Sequence, residues 1–346
     1  MARIVIAGAG AVGAAIAYHL VRQADGDEVV LCDRGEVASG ATGKAMGGVR
    51  QQFSTAPEVR LAQASARFFA ELGPPLFQQV GYLFLATTED GLARLEARRD
   101  LQVGLGVPVE PAHPAPVAGL RTDDVLGAFI CREDGVANPT AVTRHLVEEA
   151  ASGGASVLEQ TDAREVDRDV LVVACGAASP ELIDVPIRPL VRQLVDTDPV
   201  AGLPSDLPMT VEEETGFHFR RAGAGLRLAM GESSPRWGTD EVVEQALVED
   251  WLARVAHRYP AAAGVGVARS WAGLYDMTPD AHPIIGWVEE GVYAACGFSG
   301  HGFMQAPAVG AAVAEELVTG SSSLDLSPYR PERFAGEAVF PETLVL

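Results

Sequence analysis

The amino-acid sequence predicts two domains, one of α/β and one of α+β type, each assembled from non-contiguous segments of the chain. A strand, a glycine turn and a helix open the chain in "RIVIAGAGAVGAAIAYHL" (residues 3–20). A similar strand, glycine loop and helix recur near its end in "GVYAACGFSGHGFMQAPAVG" (291–310). Between residues 187 and 231 apolar and polar residues alternate, which is typical of an antiparallel sheet. The length of 346 residues suits two domains.

Hydrophobic periodicity and turn residues predict the individual elements in order. A proline-rich stretch, "VPVEPAHPAPVAGL" (107–120), is predicted to be a surface connection. No internal repeat interrupts the pattern. The predicted strands are 3–7, 28–33, 81–88 and 168–177, and the predicted helices are 11–23, 57–72, 89–103, 139–152 and about 241–259.

Composition and charge exclude several classes of protein. The formal net charge of −21 and the sequence pI near 4.7 argue against a nucleic-acid partner, because phosphates require a basic surface. No apolar stretch reaches the roughly 20 residues of a membrane helix, so no membrane insertion is expected. The four cysteines are far apart, which predicts buried thiols in a cytoplasmic protein and no metal site.

The first glycine turn carries a dinucleotide-binding pattern. Gly8, Gly10 and Gly13 follow a strand and open a helix, with Ala11 and Val12 between them, so the helix N-terminus is directed toward a pyrophosphate. Asp33 ends the next strand, where an acid accepts hydrogen bonds from a ribose. This pattern alone is compatible with either NAD or FAD. The second glycine loop near the C-terminus favours FAD, which has a second large ring to hold.

Four motifs together resemble the FAD-dependent amino-acid oxidoreductases of the D-amino-acid oxidase superfamily, which includes sarcosine oxidase, glycine oxidase and the β subunit of L-proline dehydrogenase. They are "GAGAVGAAIAYHL", "ASGATGKAMGGVRQQF", "WAGLYDMTPDAHPIIG" and "GFSGHGFMQAPAVG", and they span most of the chain in order. The resemblance implies a Rossmann-like FAD-binding domain of glutathione-reductase type, interleaved with an antiparallel-sheet substrate domain. It implies residues 1–79, 134–185 and 274–330 for the first domain, 80–133 and 186–273 for the second, and a C-terminal tail, 331–346.

The resemblance also assigns cofactor-binding residues, by their positions within the matching motifs. The first glycine turn and Asp33 would hold the ADP half of FAD, with Arg34 beside them. Further residues would line the pyrophosphate and the flavin ring. These are Ser39, Gly40, Thr42, Gly47 and Gly48 in the second motif, Cys175 and Gly176 after a later strand, and Gly297, Ser299, Gly300, His301, Gly302, Phe303 and Met304 in the last motif.

Three residues are carried over as catalytic or substrate-binding. Arg50 matches the arginine that pairs with a substrate carboxylate, a role that suits its planar fork of donors. Tyr275 and His301 lie in matching segments and would shape the substrate cavity or orient the flavin.

Several positions depart from the family pattern. Gly273 stands where sarcosine oxidases carry a flavin-linking cysteine, which predicts noncovalent FAD. Met304 replaces a substrate-anchoring lysine. Arg227 and Gly231 stand in place of a lysine and a histidine associated with oxygen reactivity, which favours a dehydrogenase over an oxidase.

The resulting prediction is an FAD-dependent enzyme that oxidises the C–N bond of a small amino acid by hydride transfer to flavin N5. The family suggests L-proline, sarcosine or a similar secondary amine, glycine or a D-amino acid as substrate. The alternative is a flavin-bearing subunit with a silent substrate pocket, acting in electron transfer or assembly. The sequence leaves the electron acceptor open and is compatible with a hetero- or homo-oligomer.

Overall fold

The computed structural model describes residues 2–23, 26–112, 119–336 and 341–346. Part of the predicted proline-rich connection, residues 113–118, and part of the predicted tail, residues 337–340, lie outside the described residues. Within the described ranges, no helix combines the length and apolar character needed to cross a membrane.

The strands and helices are numbered in chain order. The strands are β1 (Arg3–Ala7), β2 (Glu28–Cys32), β3 (Gly48–Val49), β4 (Phe77–Gln78), β5 (Tyr82–Ala86), β6 (Val109–Pro111), β7 (Gly127–Cys131), β8 (Gly135–Ala137), β9 (Ser156–Leu158), β10 (Val170–Val173), β11 (Arg188–Thr197), β12 (Met209–Glu212), β13 (His218–Ala222), β14 (Gly225–Ala229), β15 (Arg236–Trp237), β16 (Val267–Met277), β17 (Ile284–Glu289) and β18 (Val292–Cys296). The helices are α1 (Ala11–Gln23), α2 (Ala56–Leu72), α3 (Glu89–Gly104), α4 (Pro139–Ser152), α5 (Gln245–Arg258) and α6 (Gly302–Thr319), and short 3-10 helices include Ala41–Lys44 and Gly176–Glu181.

Local sequence signals explain where several helices begin. Thr88 caps α3 because its hydroxyl accepts a hydrogen bond from the Gly91 backbone N–H. Asn138 caps α4 in the same way, and Pro139 occupies the first helical position, where its missing N–H costs nothing. The observed bounds of α1 and α4 agree with the predicted bounds.

The chain divides into two compact units. The first contains residues 1–47, 138–190 and 274–345, and the second contains 48–137, 191–273 and 346. The first segment of the predicted FAD-binding domain extends to residue 79, whereas the first segment of the observed unit ends at residue 47. The reason is long-range pairing, since β3 and β4 both pair with β8 in a small antiparallel sheet.

The first unit is built on a Rossmann-like sheet. Its strand order is β17-β18-β10-β1-β2-β9 in the described residues, and β18, β10, β1, β2 and β9 run parallel. Helix α6 packs on α1, where Gly310 is essential: a Cβ there would lie 2.6 Å from the Ala15 carbonyl carbon. Only a short connection with one 3-10 turn joins β9 to β10.

The second unit contains a larger sheet with the order β15-β11-β14-β13-β12-β5-β7-β6, and β16 pairs with β11. Most of the neighbouring pairs for which a register is defined are antiparallel, but β5 and β12 run parallel. One sheet face, with Val195, Phe219 and Leu228, packs against Trp251 and Val248 of α5. Because strand residues alternate, the opposite face carries polar side chains of β11, β13 and β14.

Candidate active site

The first glycine turn brings the backbone of β1, β10 and α1 into close contact. Gly8 has a φ of +106°, and a Cβ there would lie 2.4 Å from the carbonyl oxygen of Ala174. A Cβ on Gly13 would lie 1.9 Å from the carbonyl oxygen of Gly8. Both positions therefore require glycine, which is the steric role that the dinucleotide pattern predicts.

The segment around Thr42 folds back onto the N-terminus of α1. The Thr42 hydroxyl accepts a hydrogen bond of 3.0 Å from the Ala11 N–H and lies 3.2 Å from where a Cβ on Gly10 would be. The Ala38 N–H donates to the Ala9 carbonyl, with Ala38 in the left-handed region (φ 61°). Thr42 and Ala38 of the second motif therefore lie against the first glycine turn and the N-terminus of α1, whose positive end favours an anionic group.

Asp33 is fixed at the end of β2 by two backbone donors. Its Oδ2 accepts from the Ala9 N–H and its Oδ1 from the Gly35 N–H, both at 2.7 Å. A carboxylate has about four acceptor positions, so each oxygen retains capacity for a ribose hydroxyl. The neighbouring Arg34 instead pairs with Glu181 at the surface, at 2.7 Å. The structure thus places the Asp33 carboxylate beside the glycine turn and pairs Arg34 with a residue of the 3-10 helix Gly176–Glu181.

The predicted second strand end is also a close-packed turn. Cys175 follows β10 with its Sγ 3.2 Å from the carbonyl oxygen of Ala7, and Gly176 has a φ of +54°. Burial raises the pKa of the Cys175 thiol to about 12 and that of Cys32 to about 11. Both therefore stay protonated and unreactive near neutral pH. Of the four free cysteines, Cys32, Cys131 and Cys296 are buried as predicted, whereas Cys175 is partly exposed.

The C-terminal loop is held in shape by a carboxylate that sequence reasoning missed. Asp276 Oδ2 accepts hydrogen bonds from the N–H groups of Gly297 (2.8 Å) and Phe298 (3.1 Å), and the Asp276 carbonyl accepts from the Ser299 N–H. Burial raises the pKa of Asp276 to about 6. Its position in the "LYDMTPD" motif, next to Tyr275, could have indicated a role in the site. Its partner Gly297 is 21 positions away, however, and sequence spacing does not predict such a contact.

Tyr275 packs directly against this loop. A Cβ on Gly300 would lie 2.3 Å from the Tyr275 ring, and Gly300 has a φ of +92°. His301 is buried and precedes α6, whose first turn contains Gly302, Phe303 and Met304. The structure therefore brings the predicted Tyr275 and His301 to one loop of the first unit.

These turns share one edge of the sheet. Strands β18, β10 and β1 are adjacent and parallel, and each ends at one of the three glycine turns described above. Ligands of open α/β sheets bind outside the carboxyl ends of the strands. Three features meet at this edge: glycines with no space for a Cβ, a helix N-terminus and a fixed carboxylate. Together they fit an extended dinucleotide such as FAD.

Arg50 lies in the second unit, in the loop after β3. Its side chain is 1% exposed, its guanidinium lies 4.0 Å above the Phe53 ring, and its Nη1 donates to the Gln52 carbonyl. Burial and, to a smaller extent, the positive charges of Arg50 and Arg192 lower the pKa of nearby His218 to about 4. The His218 imidazole is therefore neutral near pH 7. Gly48 also lies in this unit, where a Cβ would contact Tyr82.

Arg227 does not present an isolated positive charge. Its Nε and Nη2 donate to the two oxygens of Asp196 at 2.7 and 2.8 Å, and its guanidinium lies 4.7 Å from the Trp271 ring centre. The register pairs Arg227 with both Asp196 on β11 and Arg220 on β13. Such a bidentate pair offsets most of the guanidinium charge. In the described ranges, no cluster of three or more His, Cys, Asp or Glu side chains could hold a metal ion.

Comparison with known proteins agrees with this geometry. The chain is 29% identical to FAD-dependent oxidoreductase domain-containing protein 1 of Bos taurus, over 96% of this chain and 84% of that protein. It is 24% identical to the mitochondrial pyruvate dehydrogenase phosphatase regulatory subunit of Mus musculus, over 96% of this chain and 43% of that protein. The crystal structure of L-proline dehydrogenase from P. horikoshii superposes with a TM-score of 0.88 and 28% identity, over 96% of this chain and 98% of that chain.

The sequence profile of the FAD-dependent oxidoreductase family, DAO, matches residues 3–316. This match spans the three glycine turns, Arg50 and Tyr275. The chain therefore belongs to the DAO family of FAD-dependent oxidoreductases, and its cofactor is FAD.

Proposed function

We propose that this oxidoreductase oxidises the C–N bond of a small amino acid, with L-proline, sarcosine or a similar secondary amine favoured over glycine and D-amino acids. The observation that carries the proposal is Arg50, a buried guanidinium that stacks on the Phe53 ring. The similarity to an L-proline dehydrogenase over nearly the whole of both chains supports the substrate class.

The cofactor would be held without a covalent bond. The first glycine turn, Asp33 and the Thr42 segment would bind the ADP half, and the 297–304 loop would contact the flavin. A bound FAD would supply the two-electron acceptor for the hydride that leaves the α-carbon of the substrate. Gly273 stands where a flavin-linking cysteine would be, and burial keeps the thiols of Cys32 and Cys175 protonated. Acid precipitation of the holoenzyme should therefore release all of the flavin into the supernatant.

Arg50 would bind the substrate carboxylate through two parallel hydrogen bonds. Stacking on Phe53 fixes the plane of the guanidinium, so little side-chain entropy remains to be lost on binding. Holding the carboxylate orients the α-carbon, and orientation supplies a large part of the acceleration. His218 is uncharged near neutral pH because of its lowered pKa, so it adds no positive charge that would disfavour a substrate ammonium. A substrate amine that is already deprotonated needs no further catalytic acid or base.

The Asp196–Arg227 pair supports a dehydrogenase. Positive charge near a reduced flavin stabilises the anionic products of one-electron transfer to oxygen. Because Asp196 offsets the charge of Arg227, this chain lacks that contribution at the position where the family pattern has a lysine. We therefore infer that electrons pass mainly to an acceptor other than oxygen.

A second candidate function is a flavin-bearing subunit with a silent substrate pocket. The mouse relative that is named a regulatory subunit favours it, as does Met304 in place of the family lysine. This candidate predicts bound FAD that no amine reduces.

The test is anaerobic reduction of the holoenzyme by a panel of L-proline, sarcosine, glycine and D-alanine, followed by visible absorption. We expect loss of flavin absorbance with at least one amine, and a slower rate when the α-carbon carries deuterium. Arg50→Met should weaken substrate binding by about 2–5 kcal/mol, the cost of truncating a buried charge pair. Arg98→Met is the matched control, because Arg98 is a partly buried arginine of the same unit that pairs with Glu213. Reduction by no amine would refute the proposal and favour the silent subunit.

A further inference from the structure

A fully buried carboxylate lies beside the loop that carries Arg50. Asp134 is 0% exposed and occupies the turn between β7 and β8. Its Oδ1 accepts from the backbone N–H of Gln51 at 3.0 Å and from Gln51 Nε2 at 3.1 Å, and its Oδ2 accepts from Gln52 Nε2 at 3.1 Å. Asp134 is therefore bonded to the two residues that directly follow Arg50.

These residues also determine where the guanidinium lies. The Gln52 carbonyl accepts from Arg50 Nη1, and the Phe53 ring lies under the guanidinium. Gln52 Nε2 bridges Asp134 and the Tyr82 carbonyl, at 3.1 and 3.0 Å, which ties the loop to strand β5. Displacing Gln51 and Gln52 would therefore also displace the Gln52 carbonyl and the Phe53 ring, which support the Arg50 guanidinium.

A second anchor holds the far end of the loop. Gln102 of α3 is buried, and its Nε2 donates to the Phe53 carbonyl at 2.9 Å. The loop from Arg50 to Phe53 is thus fixed at one end by the Asp134 carboxylate and at the other by a neutral amide.

The chemistry of the three donors explains why this position carries a carboxylate. The three N–H groups that reach Asp134 all donate, and the Cys131 thiol also hydrogen-bonds to it, so both side-chain oxygens of Asp134 must accept. An asparagine offers one accepting oxygen, and its amide would face the Gln52 amide, donor against donor. A buried carboxylate is costly, and burial raises the pKa of Asp134 to about 6. The hydrogen bonds of Asp134 hold the loop from Arg50 to Phe53 in place, which is a physical reason for a carboxylate at this position.

We propose that Asp134 is a positioning residue for substrate binding, which fixes the Arg50 guanidinium by holding Gln51 and Gln52 in place. This inference rests on the proposed function, in which Arg50 binds the substrate carboxylate. Asp134 acts through the loop and contacts neither substrate nor cofactor in this assignment.

The experiment uses the FAD-loaded full chain and compares L-proline with L-prolinamide, which lacks the carboxylate. We measure KM and kcat for both compounds in the wild type, Asp134→Asn, Arg50→Met and the double variant. Asp134→Asn should raise KM for L-proline about tenfold with a smaller change in kcat, and should leave KM for L-prolinamide nearly unchanged. In the double variant the added Asp134→Asn change should have little further effect, because residues that act as one unit are non-additive.

Two further measurements separate positioning from general stability. Hydrogen exchange at the backbone N–H of Gln51 should accelerate in Asp134→Asn, since this N–H donates to Asp134. Asp124→Asn is the control: Asp124 pairs with the buried Arg258 in the same unit and is distant in sequence from the loop. It should lower the unfolding midpoint without changing the ratio of the two KM values.

The outcomes distinguish the two proposals. If Arg50→Met does not change the preference for L-proline over L-prolinamide, the role of Arg50 fails and this inference fails with it. If Arg50→Met abolishes the preference but Asp134→Asn retains it, only the inference on Asp134 is refuted. An equal effect of Asp134→Asn on both compounds would also refute it, because that is the behaviour of a residue with a purely structural role.

Discussion

Replacing Gly13 with alanine should disrupt the glycine turn, because the new Cβ would clash with the backbone. A Cβ there would lie 1.9 Å from the Gly8 carbonyl oxygen, whereas real Cβ contacts are essentially never shorter than 3.0 Å. In Gly13→Ala the separation must therefore increase by at least 1.1 Å, the difference of these two distances. The Gly8 oxygen belongs to the backbone, so no side-chain rotation relieves the clash. Helix α1 or the glycine turn must move.

Two effects should follow from this movement. Overpacking of a close contact costs about 1–3 kcal/mol of folding free energy. The displaced turn and helix N-terminus would no longer face the pyrophosphate together, so we expect FAD affinity to fall at least tenfold, equivalent to about 1.4 kcal/mol. Fluorescence titration of the apoprotein with FAD measures the affinity, and urea denaturation of the apoprotein measures the stability.

Gly104→Ala provides the matched control. Gly104 ends α3, and a Cβ there would meet nothing within 4 Å. Alanine in a helix is favoured over glycine by about 1 kcal/mol, so this variant should be as stable as the wild type or slightly more stable, with unchanged FAD affinity. If Gly13→Ala bound FAD as tightly as the wild type, the steric argument for the glycine turn would be refuted.

Three further predictions concern single side chains. Burial raises the pKa of Asp134 from 3.8 to about 6, so the folded chain holds this proton more tightly than the unfolded chain. The free energy of unfolding of the wild type, relative to that of Asp134→Asn, should therefore fall by an amount on the order of 3 kcal/mol as the pH rises from about 4 to about 6, and should then level off. Urea denaturation across this pH range measures the difference. A constant difference would mean that the carboxylate titrates normally. Gly300→Ala should displace Tyr275, because the new Cβ would lie 2.3 Å from the Tyr275 ring, and this should shift the absorption spectrum of the bound flavin. An unshifted spectrum would count against contact between the 297–304 loop and the flavin. Asp196→Asn should release the charge of Arg227 and accelerate reoxidation of the reduced enzyme by air, measured by stopped flow, and an unchanged rate would remove the electrostatic argument for a dehydrogenase.

The features that the sequence predicted best depend on nearby residues. The glycine turn, helix α1 and helix α4 are set by residues within one or two turns of each other. The family resemblance and the FAD cofactor were confirmed because several such local motifs occur in order along the chain.

The missed features depend on contacts between distant parts of the chain. The division at residue 48 follows from pairing of β3 with β8, and Asp134 reaches Gln51 across 83 positions. Asp196 offsets Arg227 only because the register of β11 and β14 makes them neighbours. Periodicity and spacing carry no information on such pairs, so neither the hydrogen bonds from Gln51 and Gln52 to Asp134 nor the Asp196–Arg227 pair was predicted.

The most direct test of the proposed reaction is the visible spectrum of the purified protein under argon, before and after addition of L-proline or sarcosine. An FAD-dependent enzyme that oxidises the C–N bond of a small amino acid should be yellow and should lose its flavin absorbance on addition of one of these compounds. A yellow protein whose spectrum no amino acid changes would contradict the proposed reaction while leaving the cofactor in place. A colourless protein that FAD does not reconstitute would contradict both.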